Sequence, residues 1–80
     1  MNQVALITGG LGYIGSHLAK YLSQNNFEII IIDNLSNSNL KTLKNIKKIN
    51  EYIYFYDFNL RDKKLLSKVF LNHSIDIVFH

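Results

Sequence analysis

The apolar residues of this chain follow two different spacings, which alternate along the sequence. Continuous apolar runs at Val4–Ile7 and Ile29–Ile32 are typical of strands that are buried on both faces of a sheet. Between these runs, Ile14, Leu18 and Leu22 recur every four residues, a spacing that places them on one face of a helix. The beginning of the chain therefore predicts a strand, a helix and a second strand.

The remainder of the chain continues this alternation. Apolar residues spaced by three predict a second helix that contains Leu40, Leu43, Ile46 and Ile49. The aromatic and β-branched segment 52–58 predicts a third strand, and Asp62 is suited to cap a third helix. The apolar face of that third helix is predicted to consist of Leu65, Leu66, Val69 and Phe70. The apolar segment 75–79 then predicts a fourth strand, which ends at His80.

Strands that alternate with helices, without a hairpin signal or a linker, predict an α/β fold with parallel strands and right-handed crossovers. We therefore predict a Rossmann-type doubly wound parallel sheet with the strand order 3-2-1-4. Residues 1–80 would form the truncated first half of one such domain, at the amino terminus of a longer protein. We expect a second, substrate-binding domain to be absent from this chain.

Composition and charge argue against several other classes of protein. The chain has no cysteine, so it forms neither disulfides nor thiolate metal sites, and its three histidines lack a metal-ligand spacing. We expect no metal and a cytoplasmic location. No signal peptide is recognisable, and apolar stretches such as Ile29–Ile32 are far shorter than the ~20 residues of a membrane helix. The net charge of +3 owes much to lysines of the predicted second helix, which we interpret as a solvated face and not as a nucleic-acid site.

A glycine motif lies where the first strand should meet the first helix. Residues 10–15 read Gly-Leu-Gly-Tyr-Ile-Gly and satisfy the pattern G-x-G-x-x-G. The early glycines allow a tight turn and close approach to a diphosphate, while Gly15 lets the helix lie close to the sheet. Free amides at the helix start favour a negatively charged ligand. The motif predicts dinucleotide binding, and the alternative is a glycine-rich turn that binds nothing.

A carboxylate in the next segment supports the same interpretation. Asp33 ends the second predicted strand, eighteen residues after Gly15, close to the spacing of a ribose ligand in dinucleotide-binding folds. Its oxygens can accept hydrogen bonds from the hydroxyls of the adenosine ribose. The same charge would repel a 2′-phosphate, so we predict NAD as the cofactor in preference to NADP.

The sequences of several segments closely resemble the amino terminus of a known family. Residues 8–17 read TGGLGYIGSH and residues 33–38 read DNLSNS, and the likeness continues through residues 59–62 and 75–80. These segments resemble the UDP-glucose 4-epimerases, which belong to the extended short-chain dehydrogenase/reductases, the NAD-dependent epimerase/dehydratase family. The TGG opening marks the superfamily, whereas Tyr13-Ile14 and the DNLSNS loop point to the epimerases.

The resemblance implies a set of NAD-binding residues. Those around the diphosphate would be Gly9, Gly12, Tyr13, Ile14 and Gly15. Those around the adenosine ribose would be Asp33, Asn34, Asn37 and Ser38. The family's adenine contact is usually an Asp followed by an aliphatic residue, and here these positions hold Asn59 and Leu60, after Phe58 where glycine is common. Loss of the acid predicts weaker cofactor binding, and Phe58 would crowd the adenine ring.

The resemblance also implies an activity, the interconversion of UDP-glucose and UDP-galactose by transient hydride transfer to NAD. Enzymes of this kind use a tyrosine, a lysine four residues later and a serine or threonine, and none of these lies in the chain, so we assign no catalytic residue. A UDP-sugar would bind through a downstream domain, and the full-length protein could form a homodimer. The alternatives are another nucleotide-sugar epimerase or dehydratase, or a non-catalytic Rossmann fragment. His80 would lie near the nicotinamide half of the crevice.

Overall fold

The strands and helices alternate in the order that the sequence predicts. The computed structural model describes residues 3–9, 12–34, 40–48 and 52–80. The elements in these residues are, in chain order, β1 (Gln3–Thr8), α1 (Tyr13–Ser23), β2 (Phe27–Ile32), α2 (Leu40–Lys47), β3 (Ile53–Tyr56), α3 (Lys63–Asn72) and β4 (Ile77–Phe79).

The four strands form one parallel sheet in the order β3-β2-β1-β4. In the register of the sheet, Ala5 of β1 lies beside Ile29 of β2 and Ile77 of β4. This topology confirms the predicted fold class and strand order. Because all the strands run in the same direction, their carboxyl ends meet at a single edge of the sheet.

The core has two layers, one on each face of the sheet. The layer between the sheet and helices α1 and α2 consists of Ala5, Ile7, Ala19, Leu22, Ile29, Ile31, Leu43 and Ile53. The layer between the sheet and α3 consists of Leu6, Ile30, Ile32 and Val69. Alternate side chains of β1 and β2 therefore enter opposite layers, which explains why both strands read as continuous apolar runs.

Two predicted elements differ in detail from those observed. The third strand is shorter than segment 52–58, because Phe58 leaves the sheet and packs edge-on against Tyr56, with ring centroids 6.5 Å apart. The predicted face of α3 is too wide, since Val69 is 2% exposed whereas Leu65 is 38% and Phe70 47% exposed. Leu65 and Phe70 lie about 70° to either side of the midline between Leu66 and Val69, at 3.6 residues per turn.

The fourth strand also begins later than predicted. Asp76 precedes it and bonds to the start of β1, because its backbone N–H donates to the carbonyl of Val4 (2.9 Å) and its Oδ2 accepts from the N–H of Val4 (2.8 Å). Ile49, assigned above to the second helix, lies outside the described residues. In the described part of the chain, no helix has the length and apolar character needed to cross a bilayer.

Candidate functional site

The turn after β1 requires a glycine at its first position. Gly9 has φ +65°, the left-handed region that disfavours residues with a Cβ. Its N–H donates to the carbonyl of Ile32 at 2.8 Å, so the turn is fastened to the end of β2. Its own carbonyl accepts from the N–H of Gly12 at 3.1 Å. Gly10 and Leu11 of the motif lie outside the described residues.

Helix α1 begins directly after this turn. Gly12 is its N-cap, with φ −74° and ψ 177°, and its carbonyl accepts the N–H of Ser16 at 2.8 Å. A glycine offers no side chain to cap the first turn, and none of the residues in that turn is acidic. The first N–H groups of a helix have no acceptor within the helix, so they are suited to bind an anion.

A Cβ at Gly12 would stand 3.4 Å from the carbonyl oxygen of Gly9, so the backbones of these two glycines approach each other closely. Gly12 and Gly15 both face the same cleft. The predicted glycines therefore form a surface without side chains at the start of α1, which fits the close approach of a diphosphate. Tyr13 and Ile14 belong to the first turn of α1, and their side chains are outside the description.

The cleft itself lies at the carboxyl ends of β1 and β4 and has a volume of about 550 Å³. Its described lining consists of Ile7, Thr8, Gly9, Gly12, Gly15, Leu18, Phe79 and His80. The chain runs from β1 to β2 on one side and reaches β4 on the other, so this edge is the topological switch point of the sheet. Ligands of open α/β sheets bind at such points.

Asp33 lies on the other side of the turn, at the carboxyl end of β2. Only 8% of this residue is exposed. Among the described residues, it is the charged residue that is buried. Its N–H donates to the carbonyl of Tyr56 at 3.1 Å and so joins the ends of β2 and β3. Asn34 follows it and is exposed. Asn37 and Ser38, the other two predicted ribose contacts, lie outside the described residues.

The predicted adenine contacts follow β3 at the same edge of the sheet. Oδ1 of Asn59 accepts the backbone N–H of Arg61 at 2.9 Å, and the carbonyl of Asn59 accepts the N–H of Asp62, also at 2.9 Å. Leu60 and Phe58 are half-buried and pack against the core layer beneath α3. Residues 59–62 thus form a hydrogen-bonded turn in which Asn59 is exposed.

One polar pair in the cleft was not among the predicted site residues. Oγ1 of Thr8 lies 2.8 Å from Nδ1 of His80, and it also lies 3.4 Å from the carbonyl oxygen of Phe79. The strand order brings the two residues close, because Thr8 follows Ile7 and His80 follows Phe79, and Ile7 and Phe79 lie side by side in the register of β1 and β4. In the described residues, no group of three or more His, Cys, Asp or Glu side chains is arranged to hold a metal ion.

The parallel 3-2-1-4 sheet, its helices on both faces and the glycine turn at its switch point define a Rossmann-type doubly wound α/β protein. A family model described as GDP-mannose 4,6 dehydratase matches residues 6–80. The chain therefore belongs to that family.

Two relatives that are similar over nearly the whole chain are UDP-glucose 4-epimerases. The UDP-glucose 4-epimerase of Bacillus subtilis (strain 168) is 41% identical over 76 residues, which cover 94% of this chain and 22% of the relative. The UDP-glucose 4-epimerase of Neisseria gonorrhoeae is 42% identical over 79 residues, which cover 98% of this chain and 23% of the relative. The chain thus spans about a fifth of the length of the curated relatives it matches.

Solved structures of two nucleotide-sugar enzymes are similar to this chain in fold. The UDP-glucose 4-epimerase of Bifidobacterium longum, in complex with NAD+ and UDP, has a TM-score of 0.89 at 32% identity, covering 95% of this chain and 23% of that one. The dTDP-glucose 4,6-dehydratase of Bacillus anthracis, in complex with NAD, has a TM-score of 0.84 at 29% identity, covering 95% and 25%. These similarities confirm the predicted fold and the resemblance to UDP-glucose 4-epimerases.

Proposed function

We propose that the chain is the NAD-binding segment of a UDP-glucose 4-epimerase, an isomerase that interconverts UDP-glucose and UDP-galactose. The observation that carries this proposal is the left-handed turn at Gly9, which opens directly onto the start of α1 and onto the cleft at the switch point. The sequence likeness to UDP-glucose 4-epimerases over nearly the whole chain supports it.

In this proposal, the cofactor's diphosphate lies against the glycine turn. Gly9 and Gly12 allow close approach, and Gly15 keeps that side of the cleft open. Tyr13 and Ile14 contribute through the backbone N–H groups of the first helical turn, which no side-chain cap satisfies. These groups would bind and orient the diphosphate by hydrogen bonds and by the helix dipole, and no Lys or Arg is among the described residues that line the cleft.

The adenosine half then extends over β2 and β3. Asp33 would accept hydrogen bonds from the ribose hydroxyls, with Asn34, Asn37 and Ser38 around it. The backbone bond between Asp33 and Tyr56 fixes the two strand ends relative to each other. Asn59 and Leu60 would lie beside the adenine. The buried carboxylate of Asp33 disfavours a 2′-phosphate, which is why the proposal names NAD and not NADP.

NAD, when bound, supplies a hydride acceptor and donor for the sugar carbon. The residues of this chain bind and orient it, and we assign none of them to proton transfer. No tyrosine of the chain has a lysine four residues later. The proposal therefore assigns the catalytic tyrosine and lysine, and the UDP-sugar site, to a part of the protein beyond these residues. A homodimer of the full-length protein is part of the same proposal.

A second candidate function is that of a nucleotide-sugar 4,6-dehydratase. Two observations favour it: the matching family model is described as GDP-mannose 4,6 dehydratase, and the dTDP-glucose 4,6-dehydratase of Bacillus anthracis has a TM-score of 0.84. Both candidates use the same fold and would place NAD in the same cleft. Only the reaction of the bound sugar separates them.

The experiment is to purify the full-length protein, measure its NAD content, and incubate it separately with UDP-galactose, GDP-mannose and dTDP-glucose. Chromatography of the products distinguishes an epimer from a dehydrated sugar. The proposal expects bound NAD and conversion of UDP-galactose to UDP-glucose. A dehydrated product would establish the second candidate instead. A folded protein that neither contains nor binds NAD would contradict both.

A further inference from the structure

The carboxyl ends of β1 and β4 carry a hydrogen-bonded pair that points to a second contact region of the cleft. Thr8 is the last residue of β1 and His80 directly follows β4. The two strands are adjacent, with Ile7 beside Phe79, and Nδ1 of His80 lies 2.8 Å from Oγ1 of Thr8. Among the described residues that line the cleft, these two carry the polar side chains.

The arrangement of protons in this pair determines what His80 can offer a ligand. The hydroxyl of Thr8 has one O–H group, which can donate a hydrogen bond to the carbonyl oxygen of Phe79, 3.4 Å away. Nδ1–H of His80 then donates to Oγ1 of Thr8, so the hydroxyl of Thr8 and Nδ1 of His80 both have partners. In this neutral form Nε2 of His80, on the other side of the ring, carries a lone pair and acts as an acceptor.

The position of the pair relative to the turn indicates which part of a ligand would meet it. Gly9 and Gly12 line the same cleft as His80, while Asp33 lies beyond β1 at the end of β2. A dinucleotide whose diphosphate lies over the turn after β1 sends its two nucleosides to opposite sides of the switch point. If the adenosine ribose meets Asp33, the second ribose is directed toward β4 and His80.

We propose that Nε2 of His80 accepts a hydrogen bond from a hydroxyl of the second ribose of a bound dinucleotide, and that Thr8 positions the His80 ring for this contact. This inference rests on the proposed function, because it takes the diphosphate at Gly9 and Gly12 as given. A ribose hydroxyl can donate a hydrogen bond to Nε2, whereas an ionised diphosphate has no O–H group that could donate one. The contact therefore selects for the sugar and not for the phosphates.

A series of ligands that grow from the adenosine end locates the contact. AMP, ADP, ADP-ribose and NAD are titrated by calorimetry into the full-length wild-type protein and into His80→Asn. The asparagine amide nitrogen takes the place of Nδ1 and keeps the bond to Thr8, but no atom replaces Nε2. We expect AMP and ADP to bind both proteins equally, and ADP-ribose and NAD to bind the variant about 3- to 10-fold more weakly, as for the loss of one hydrogen bond.

The role of Thr8 is tested independently, and a failure of His80→Asn to fold would leave this test intact. Thr8→Val keeps the shape of the side chain but removes the hydroxyl, so it should weaken ADP-ribose and NAD and leave AMP unchanged. Thr8→Ser restores the hydroxyl and should restore the affinity. Circular dichroism and thermal unfolding of each variant confirm that it is folded before titration.

Several outcomes would overturn the inference. Equal weakening of all four ligands would show that the pair only stabilises the sheet. Weakening that already begins with ADP would assign the contact to a phosphate. Unchanged binding of ADP-ribose and NAD in His80→Asn would show that Nε2 contacts nothing. A wild-type protein that binds NAD tightly alongside any of these results would preserve the proposed function, whereas one that binds none of the four ligands would overturn both.

Discussion

Replacing Asp33 with asparagine removes one negative charge from the candidate ribose site and changes the shape of the side chain very little. Asp33 is 8% exposed at the carboxyl end of β2, and its backbone N–H remains bonded to the carbonyl of Tyr56 in either protein. We expect Asp33→Asn to weaken NAD binding and to strengthen NADP binding. The variant therefore tests both the position of the ribose and the choice of cofactor.

The burial of Asp33 sets the size of both effects. Hydrogen bonds to a charged group contribute about 1.5–3 kcal/mol, so NAD affinity should fall by about 10- to 150-fold. A carboxylate and a phosphate about 4 Å apart repel each other by about 4 kcal/mol per pair of unit charges at an effective dielectric constant of 20. The free energy gained by removing this repulsion is larger than the free energy lost with the hydrogen bonds. The ratio of NADP to NAD affinity should therefore rise by at least about 100-fold.

The assay is calorimetric titration of NAD and NADP into the full-length protein and its variants. Asp76→Asn is the matched control, because it makes the same change of charge at the opposite edge of the sheet, where Oδ2 of Asp76 accepts the N–H of Val4. An asparagine oxygen can accept that bond as well. Unchanged cofactor preference in Asp33→Asn, or an equal change in Asp76→Asn, would refute the placement of the ribose at Asp33.

Three further substitutions test the turn, the adenine loop and a helix cap. Gly9→Ala should lower the free energy of unfolding in urea by about 1–2 kcal/mol through its left-handed φ alone, since no described atom lies within 4 Å of the added Cβ, and unchanged stability would contradict the turn geometry. Asn59→Asp keeps an acceptor for the N–H of Arg61 and adds charge, so NAD should bind about 3- to 10-fold more tightly in a titration, and no gain would count against an adenine contact there. Asp62→Ala should cost about 1 kcal/mol on thermal unfolding, because Oδ1 of Asp62 caps α3 at the N–H of Leu65 (3.1 Å), whereas Asp62→Asn should retain most of that stability.

Much of the fold follows from spacing and chain order. The runs at Val4–Ile7 and Ile29–Ile32 became the two central strands because both faces of a doubly wound sheet are covered. Right-handed crossovers then left the order 3-2-1-4 as the natural one. Asp62 was identified as a cap from its place before an apolar helix, and the structure confirms that role. These features depend on local chemistry and on handedness, which the sequence carries directly.

Other features depend on how the elements pack and could not be read from the spacing. Ala19 is fully buried where α1 meets the sheet, but its small side chain gives no signal in a pattern of large apolar residues. Phe58 continues the aromatic run of the third strand, yet it leaves the sheet to contact Tyr56. The contact between Thr8 and His80 depends on the orientation of a ring, although the strand order brings the two residues close.

The central claim is that a dinucleotide's diphosphate lies against the backbone at Gly9 and Gly12. A crystal structure of the full-length protein with NAD tests it most directly. We predict diphosphate oxygens within hydrogen-bonding distance of the N–H groups at the start of α1 and the adenosine ribose at Asp33. Density for NAD elsewhere, or a glycine turn filled only by water under saturating NAD, would contradict the claim.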